Sequence, residues 1–208
     1  MNDRRVVVRG DLPAEMADAF AAVPLASWDV ETSGLDWRRH RLATCQVFAE
    51  QIGVVVVSLD EKPPLRLKAL LEDPTVEKVF HHAPFDLRFM VHAWKAQPAL
   101  IRCTKVASKL LDPRAPNEAH SLQQLCLRYL GVRLDKAAVR TSDWLAEELT
   151  AEQLEYASRD VLFLPALLSA LERELSKADL RPFYDACCAF LPARVSLELG
   201  AYPDVFAY

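Results

Sequence analysis

The sequence predicts an α/β domain in which antiparallel strands open a mixed sheet, helices flank that sheet, and the C-terminal half is helical. Three observations support this. Two β-prone runs in the first sixty residues are separated by only two residues, which is typical of an antiparallel hairpin. Short apolar strands then alternate with helical patterns, and from Ser121 onward the apolar spacing is helical throughout.

The predicted strands are short runs rich in Val, Ile, Leu and Phe. The strand that begins at Leu25 runs into a polar turn over residues 31–34, which limits its length. In chain order the predicted strands are Val6–Val8, Leu25–Val30, Leu42–Ala49, Ile52–Leu59, Glu77–His81 and Ala99–Cys103.

The predicted helices begin and end at residues that favour those positions. Pro84 suits the first position of a helix, and Thr104 and Thr150 are good N-caps. Gly131 ends one helix, and Pro165 predicts a kink in the longest one. In chain order the predicted helices are Leu65–Leu71, Phe85–Trp94, Lys105–Leu111, Ser121–Leu130, one from Thr150 to about Leu175, and Arg181–Phe190.

Composition indicates an ordinary globular chain. Its 208 residues are 51% hydrophobic and 26% charged, so they can bury a core and we expect one domain over residues 1–208. The longest apolar run, Ile52–Leu59, is too short to cross a bilayer and no secretory signal precedes it, so we expect a cytoplasmic protein without a membrane partner. The five cysteines show no metal-binding spacing and are expected to be reduced and mostly buried.

The charge balance limits the kind of nucleic acid that the protein can hold. Lys and Arg number 25 against 29 Asp and Glu, a net charge of −4. Such a chain offers no broad basic face for the phosphates of a long nucleic acid. Any nucleic-acid substrate is therefore expected to be short or held locally.

Carboxylates occur where two predicted elements can present them together. Asp29 and Glu31 are two residues apart at the end of a strand, and the period of two places both side chains on one face. Asp29 is flanked by apolar residues, and a carboxylate in a core strand is costly unless something pairs with it.

Two further acids, both on predicted helices, are candidates for the same cluster. Asp86 lies in the first turn of a helix that follows a strand, where the helix dipole favours an acid whatever else it does. Asp160 shares a helix face with Tyr156 at a spacing of four, although it can also pair with Arg159 or Lys109 at the surface. Singly, each has an ordinary structural explanation.

Together, these acids indicate a metal site. Three or four carboxylates at one sheet edge repel each other unless divalent cations neutralise them. Hard oxygen ligands favour Mg²⁺ or Mn²⁺ over zinc, and two such ions about 4 Å apart form a phosphoryl-transfer site. Tyr156, one turn before Asp160, is then placed to orient or deprotonate the attacking water.

Three segments in this order resemble the three exonuclease motifs of the DEDD superfamily. They are Asp29–Leu35 (DVETSGL), His81–Leu87 (HHAPFDL) and Tyr156–Val161 (YASRDV). The tyrosine places the resemblance in the subgroup that includes ribonuclease D. Further segments are similar to the short, stand-alone nanoRNase C family, so that the resemblance covers nearly the whole chain: Cys103–Leu110, His120–Leu122, Leu125–Cys126, Thr141–Trp144 and Phe190–Arg194.

The resemblance implies a ribonuclease H-like fold and 3′→5′ hydrolysis with two Mg²⁺ or Mn²⁺ ions, releasing 5′-monophosphates. It implies ligand roles for four acids and a positioning role for Tyr156; the ligands are Asp29, Glu31, Asp86 and Asp160. It also implies a single exonuclease domain over residues 1–208, without the additional C-terminal nucleic-acid-binding domain of ribonuclease D. The nanoRNase C family is described as a ring-shaped homo-octamer that cleaves very short RNA, above all diribonucleotides.

Candidate substrate contacts follow from the same resemblance. Leu35 resembles a leucine that wedges between the two bases of a dinucleotide, although a turn or core leucine would also suit the position. Thr32 can bond the 3′ end or cap a turn. His82 stands where the ribonuclease D pattern usually has Asn, and it can donate to a phosphate or to a carboxylate.

The helix after Cys103 carries Lys105, Ser108 and Lys109 at spacings of three and four. One helix face would then present two cations and a hydroxyl suited to a 5′ phosphate, which would select short substrates. A solvated helix face is the competing interpretation.

Two alternatives remain at this point. The same chemistry can serve tRNA 3′-end trimming or DNA degradation, and the chain can be a catalytically silent nucleic-acid-binding module.

The last stretch, Ala201–Tyr208, is aromatic for a chain end, and we expect it to pack on a neighbouring subunit in a homo-oligomer.

Overall fold

The computed structural model describes residues 5–134 and 142–207, and these build a six-stranded mixed sheet with helices packed around it. Thr141, in one of the segments quoted above, lies outside the described residues. The strands are β1 (Arg5–Arg9), β2 (Leu25–Thr32), β3 (Leu42–Ala49), β4 (Gly53–Ser58), β5 (Glu77–Phe80) and β6 (Ile101–Cys103).

The strand order across the sheet is β1-β4-β3-β2-β5-β6. Strands β2, β3 and β4 form an antiparallel meander, whereas β1 pairs parallel with β4, β5 with β2, and β6 with β5. The predicted hairpin and the predicted mixed sheet are therefore confirmed. The parallel pair β5 and β6 is joined by a helical segment, as expected because parallel strands need a crossover connection.

Eight α-helices are described. They are α1 (Ala14–Ala21), α2 (Leu65–Glu72), α3 (Ala83–Trp94), α4 (Thr104–Leu111), α5 (Leu122–Leu130), α6 (Ala151–Leu162), α7 (Leu164–Lys177) and α8 (Arg181–Leu199). A single 3₁₀ turn, Asn117–His120, precedes α5. Gly131 follows α5 in the left-handed conformation (φ 69°), as predicted for a helix stop.

Several predicted helix boundaries are wrong. Helix α1 was not predicted, and it buries Phe20. The long kinked helix is instead two helices that meet at Phe163, because Pro165 lies in the first turn of α7, where proline is tolerated. Helix α8 continues past Phe190 because Leu191 and Val195 are also buried.

The two predicted threonine caps have different outcomes. Thr150 caps α6, because its side chain accepts a hydrogen bond from the backbone N–H of Gln153. Thr104 does not cap α4: it is the first helical residue, and its hydroxyl donates to the backbone oxygen of Phe80 and bonds Nδ1 of His81. Its hydroxyl therefore ties α4 to the end of β5.

The two faces of the sheet have different contents. Trp28 and Val30 of β2 belong to the main hydrophobic core. On the other face Phe48, paired with Ser27, packs with Val161 of α6. Because side chains alternate along β2, its odd-numbered residues face α6, and this places the acids of β2 beneath that helix.

The cysteines behave as predicted, since all five are free and all but Cys187 are buried. Across the described ranges, no helix has the length and apolar content needed to span a bilayer.

Candidate active site

The C-terminal end of β2 places two carboxylates on the face beneath α6. Asp29 lies opposite Gln46 of β3, and Glu31 lies opposite Thr44. The register between β2 and β3 shifts directly after Glu31, which is the signature of a bulge. Bulges at strand ends redirect side chains, and this one turns the chain into the loop at Ser33.

Asp160 of α6 meets the acids of β2. One carboxylate oxygen each of Asp29, Glu31 and Asp160 lies within 4.8 Å of the other two. Helix α6 crosses β2, β3 and β4, so its packing position decides this convergence. The arrangement agrees with the metal-site prediction for three of its four acids.

Asp86 approaches the same place from α3. It is buried, and it lines the same cavity as the other three acids. Its charge raises the pKa of Asp29. Asp86 therefore belongs to the site, although it lies outside the tight group of three.

The electrostatics of the four acids demand compensation. Burial, followed by the charges of Asp86, Asp160 and Glu31, raises the pKa of Asp29 well above its ordinary value. Burial raises the pKa of Asp86 to about 8 and that of Asp160 to about 7. Without a counter-charge, the fold thus favours protonated carboxyls at neutral pH.

The donor set fits divalent cations of the Mg²⁺ or Mn²⁺ class. All the clustered ligands are hard carboxylate oxygens, and a cation would relieve both the burial cost and the mutual repulsion. The residues that would hold such ions are Asp29, Glu31, Asp86 and Asp160.

Removing divalent ions is expected to make the fold less stable as pH rises. The unfolded chain releases the protons of Asp86 and Asp160 near pH 4, whereas the fold holds them to about 8 and 7. This contribution is fully present below pH 4 and is lost as pH rises through 7 and 8, on the order of several kcal/mol in total. Thermal melts in EDTA should therefore show a melting temperature that falls from pH 5 to pH 8.

Mn²⁺ provides the control for that experiment. Metal binding displaces protons, so the stabilisation produced by Mn²⁺ should grow over the same pH range. An EDTA profile that stays flat from pH 5 to pH 8 would contradict the clustered-carboxylate interpretation.

Tyr156 lies one helical turn before Asp160, and its hydroxyl is close enough to the Asp160 carboxylate for each group to affect the pKa of the other. Burial and the nearby negative charge of Asp160 raise the pKa of Tyr156 above its ordinary value. The phenol is therefore protonated at neutral pH, which favours the orienting role over the deprotonating one. Trp144 packs against its ring, with centroids 6.1 Å apart.

These side chains open onto a cavity of about 650 Å³. Leu35 and His82 line it, together with all five predicted catalytic residues. The side chain of Leu35 is 82% exposed at the cavity rim, which excludes the core-leucine alternative. Burial and the positive charge of Lys105 lower the pKa of His82 to about 4, so it is neutral at pH 7.

The turn after β2 shapes that rim. Thr32 lines the cavity, but its hydroxyl donates to the backbone oxygen of Gly34 at 2.7 Å, so it also caps the turn. A Cβ at Gly34 would lie 2.4 Å from the His40 ring, so a side chain here would require that exposed ring to move. The neighbouring Leu35 lies at the edge of the cavity.

The structure separates the three residues of the predicted phosphate-binding face. Lys105 lines the cavity. Ser108 is buried, and its hydroxyl lies 2.7 Å from Nδ1 of His120. Lys109 is exposed and donates to Oδ1 of Asn117 at 3.2 Å. Helical spacing alone did not reveal that α4 turns Ser108 inward.

The cavity is also lined by residues that the sequence patterns did not predict. The lining includes Ser33, Phe85, Gln123 and Trp144, of which Phe85 directly precedes Asp86. Phe85 lies within the HHAPFDL segment, so the resemblance to the exonuclease motif could have identified it. Nothing in the sequence pointed to Gln123, because a glutamine on a helix face is ordinary in a surface helix.

The 3′–5′ exonuclease family model matches residues 5–176. Brucella melitensis NrnC is 35% identical, with a TM-score of 0.90 over 98% of each chain. Structures of that protein bound to pGG and with bound Mg²⁺ are similar at 35% and 34% identity, each with a TM-score of 0.88 over 98% of each chain.

Ribonuclease D provides a more distant comparison. The Escherichia coli protein is 27% identical over 179 residues, which are 86% of this chain and 46% of that protein. Its crystal structure has a TM-score of 0.79 at 24% identity, covering 94% of this chain and 51% of the other. The match confirms the ribonuclease H-like fold, and the chain spans about half the length of this relative.

Proposed function

Because this chain belongs to the 3′–5′ exonuclease family and is ribonuclease D-like, we propose that it hydrolyses short oligoribonucleotides, above all diribonucleotides, to 5′-mononucleotides. The observation that carries the substrate proposal is the similarity, over 98% of each chain, to an NrnC structure bound to the dinucleotide pGG. In this reaction, water adds to the terminal phosphodiester phosphorus. The bond to the preceding 3′ oxygen breaks, and that oxygen takes up a proton.

The four clustered acids support a two-cation mechanism. When bound, two divalent ions would supply Lewis-acid stabilisation of the charge that develops on the attacking and leaving oxygens. Asp29, Glu31, Asp86 and Asp160 would hold them. Tyr156, whose ring packs against Trp144, would orient the attacking water through its protonated hydroxyl, which lies beside Asp160.

The size and charge of the cavity support a short substrate. Its volume of about 650 Å³ lies in the range of small-ligand sites. Among its described lining residues, Lys105 is the one lysine or arginine. In the described lining, this cation suits one terminal phosphate, whereas a long nucleic acid requires many phosphate contacts.

Two residues would select the length of the substrate. Leu35, exposed at the rim, would lie between the two bases, and Lys105 would bind the 5′ phosphate. Thr32 and His82 would contact the 3′ nucleotide and a phosphate, respectively, since both line the cavity. Ser108 would support this region indirectly, through its buried contact with His120.

A length series tests the proposal. With Mn²⁺ and 5′-phosphorylated RNA of two, five and twenty nucleotides, kcat/KM should be about tenfold or more higher for the dinucleotide. The reason is that a charge-assisted hydrogen bond to the terminal phosphate contributes about 1.5–3 kcal/mol. Faster cleavage of the twenty-nucleotide RNA, or of double-stranded DNA, would favour the trimming or DNA-degrading alternative. Absence of any turnover would favour the silent module.

Lys105→Ala and Lys109→Ala form a matched pair for this series. The first should remove most of the preference for the 5′-phosphorylated dinucleotide, because Lys105 lines the cavity. The second should leave the preference nearly intact, because Lys109 donates to Asn117 outside the cavity lining. Equal losses in both variants would contradict the assignment of Lys105.

We also propose a homo-oligomer, an octamer by family resemblance. Tyr202 and Phe206 are 64% and 78% exposed, and Phe206 contacts Phe190 edge-on at 5.6 Å. Tyr208, at the end of the aromatic stretch, lies outside the described residues. Light scattering at micromolar concentration should give a mass several times that of one chain, and Phe206→Ser should lower it. A monomeric mass for the unaltered protein would contradict the proposal.

A further inference from the structure

Gln153, in the first turn of α6, makes more hydrogen bonds than its capping role requires. Its Oε1 accepts from the backbone N–H of Thr150 at 2.9 Å, which completes the capping box. Its Nε2 donates to Oγ of Ser142 at 2.9 Å and to the backbone oxygen of Asp143 at 3.0 Å. The side chain is only 3% exposed, so these are bonds of a buried amide.

Glutamine at position 153, where glutamate would also complete the capping box, indicates a role for its amide N–H donors. A capping box needs only an acceptor at this position, and glutamate would also be favoured by the helix dipole. The amide instead supplies two N–H donors, and both are used by the segment 142–144. The glutamine thus connects the start of α6 to this preceding segment.

That segment carries Trp144, which packs on α6, the helix of Tyr156 and Asp160. Trp144 is 3% exposed, and it lies with Ala43 of β3 and Ala157 of α6 in a small apolar cluster. Its ring meets the ring of Tyr156, with centroids 6.1 Å apart and planes inclined by 47°. Its neighbours in sequence, Asp143 and Leu145, are exposed, so Trp144 is the point at which the segment anchors.

We propose that Gln153 is a positioning residue: by holding segment 142–144, it presses Trp144 against Tyr156 and restricts the phenol to the orientation in which its hydroxyl meets Asp160. The inference rests on the proposed function, in which Tyr156 orients the attacking water. Gln153 itself touches neither substrate nor reacting atoms. It acts through Trp144, and the ring contact transmits its effect.

Gln153→Glu isolates this role, because glutamate keeps the acceptor for Thr150 and loses both donors to segment 142–144. We expect kcat on a 5′-phosphorylated dinucleotide with Mn²⁺ to fall about tenfold, which is the cost of about 1.4 kcal/mol of transition-state stabilisation. KM and the Mn²⁺ concentration for half-maximal rate should stay within twofold. Acrylamide quenching of Trp144 fluorescence, obtained by difference from Trp144→Leu, should increase.

Thr150→Ala is the matched control, because it removes the cap hydroxyl and leaves all three bonds of the Gln153 side chain. It should lower the melting temperature by about 2–4 °C and leave kcat within twofold. If Gln153→Glu likewise keeps kcat within twofold and does not change the quenching, the proposal is overturned.

A double-mutant cycle with Trp144→Leu provides the second test. Trp144→Leu should lower kcat about tenfold by itself, and the double variant should be no slower, because both changes break one connection. Losses that multiply to about a hundredfold would overturn the proposal. If Gln153→Glu does not fold, Trp144→Leu alone still tests the proposal, and a kcat within twofold of that of the unaltered protein overturns it. If the unaltered protein is inactive, the proposed function is contradicted instead. The quenching comparison would then still test whether Gln153 keeps Trp144 buried against Tyr156.

Discussion

Asp29→Asn is expected to lower turnover of a dinucleotide by at least about a thousandfold and, in EDTA, to raise the melting temperature. The loss follows because several kcal/mol of charge stabilisation depend on cations that this carboxylate would hold. The gain follows because burial and three neighbouring acids make the charged form of Asp29 costly. Because asparagine needs neither a buried charge nor the uptake of a proton on folding, it should stabilise the metal-free fold by about 1 kcal/mol, or about 2–4 °C.

Both effects are measured on the same purified variant. Turnover is followed with a labelled dinucleotide and Mn²⁺, and melting is followed with EDTA and with Mn²⁺, whose stabilising effect should largely disappear. Asp18→Asn is the control, since Asp18 is an exposed residue of α1 and does not line the cavity. Retained turnover in Asp29→Asn would remove the metal-ligand assignment. A lower melting temperature in EDTA would show that Asp29 stabilises the metal-free fold.

Tyr156→Phe is expected to lower kcat by about a hundredfold with little change in KM or in the Mn²⁺ requirement. A positioned group that handles the attacking water contributes roughly 10²–10⁴-fold, and only the hydroxyl is lost here. The phenyl ring can keep its contact with Trp144, so the fold of the site should survive. Because burial and the charge of Asp160 raise the pKa of Tyr156, the lost group is a neutral hydroxyl.

Single-turnover kinetics, with the enzyme in excess over the dinucleotide and with saturating Mn²⁺, measure this step directly. Tyr129→Phe is the control, because Tyr129 lies on α5 and does not line the cavity. A kcat for Tyr156→Phe within a few-fold of the unaltered protein would mean that Asp160 and the other acids orient the water without the phenol.

Patterns within one element predicted correctly which side chains of that element lie together. A period of two placed Asp29 and Glu31 on one face of a strand, and the structure brings their oxygens together with that of Asp160. A spacing of four placed Tyr156 beside Asp160, and in the structure the charge of Asp160 raises the pKa of Tyr156. These predictions succeed because the geometry of a strand or helix relates neighbouring side chains without reference to the rest of the fold.

Predictions that required the direction of a whole element were less complete. Helical spacing grouped Ser108 with two lysines, but the packing of α4 turns that hydroxyl toward His120. The position of Pro165 predicted a kink, whereas the chain starts a new helix. Gln153 carried a recognisable capping pattern, yet its two donors reach residues ten and eleven positions earlier in the chain.

By itself, the sequence determined the chemistry of the site: which acids, which tyrosine and which cations are available, and which of them share a strand or helix face. The tertiary structure alone decided how they meet. Asp86 comes close to Asp29 because of the position in which α3 packs, against α8 and the strands β3, β5 and β6. Lys105 rather than Lys109 enters the cavity because of the rotation of α4 about its axis. Such contacts depend on how apolar faces far apart in the chain pack together, and local backbone geometry does not specify that packing.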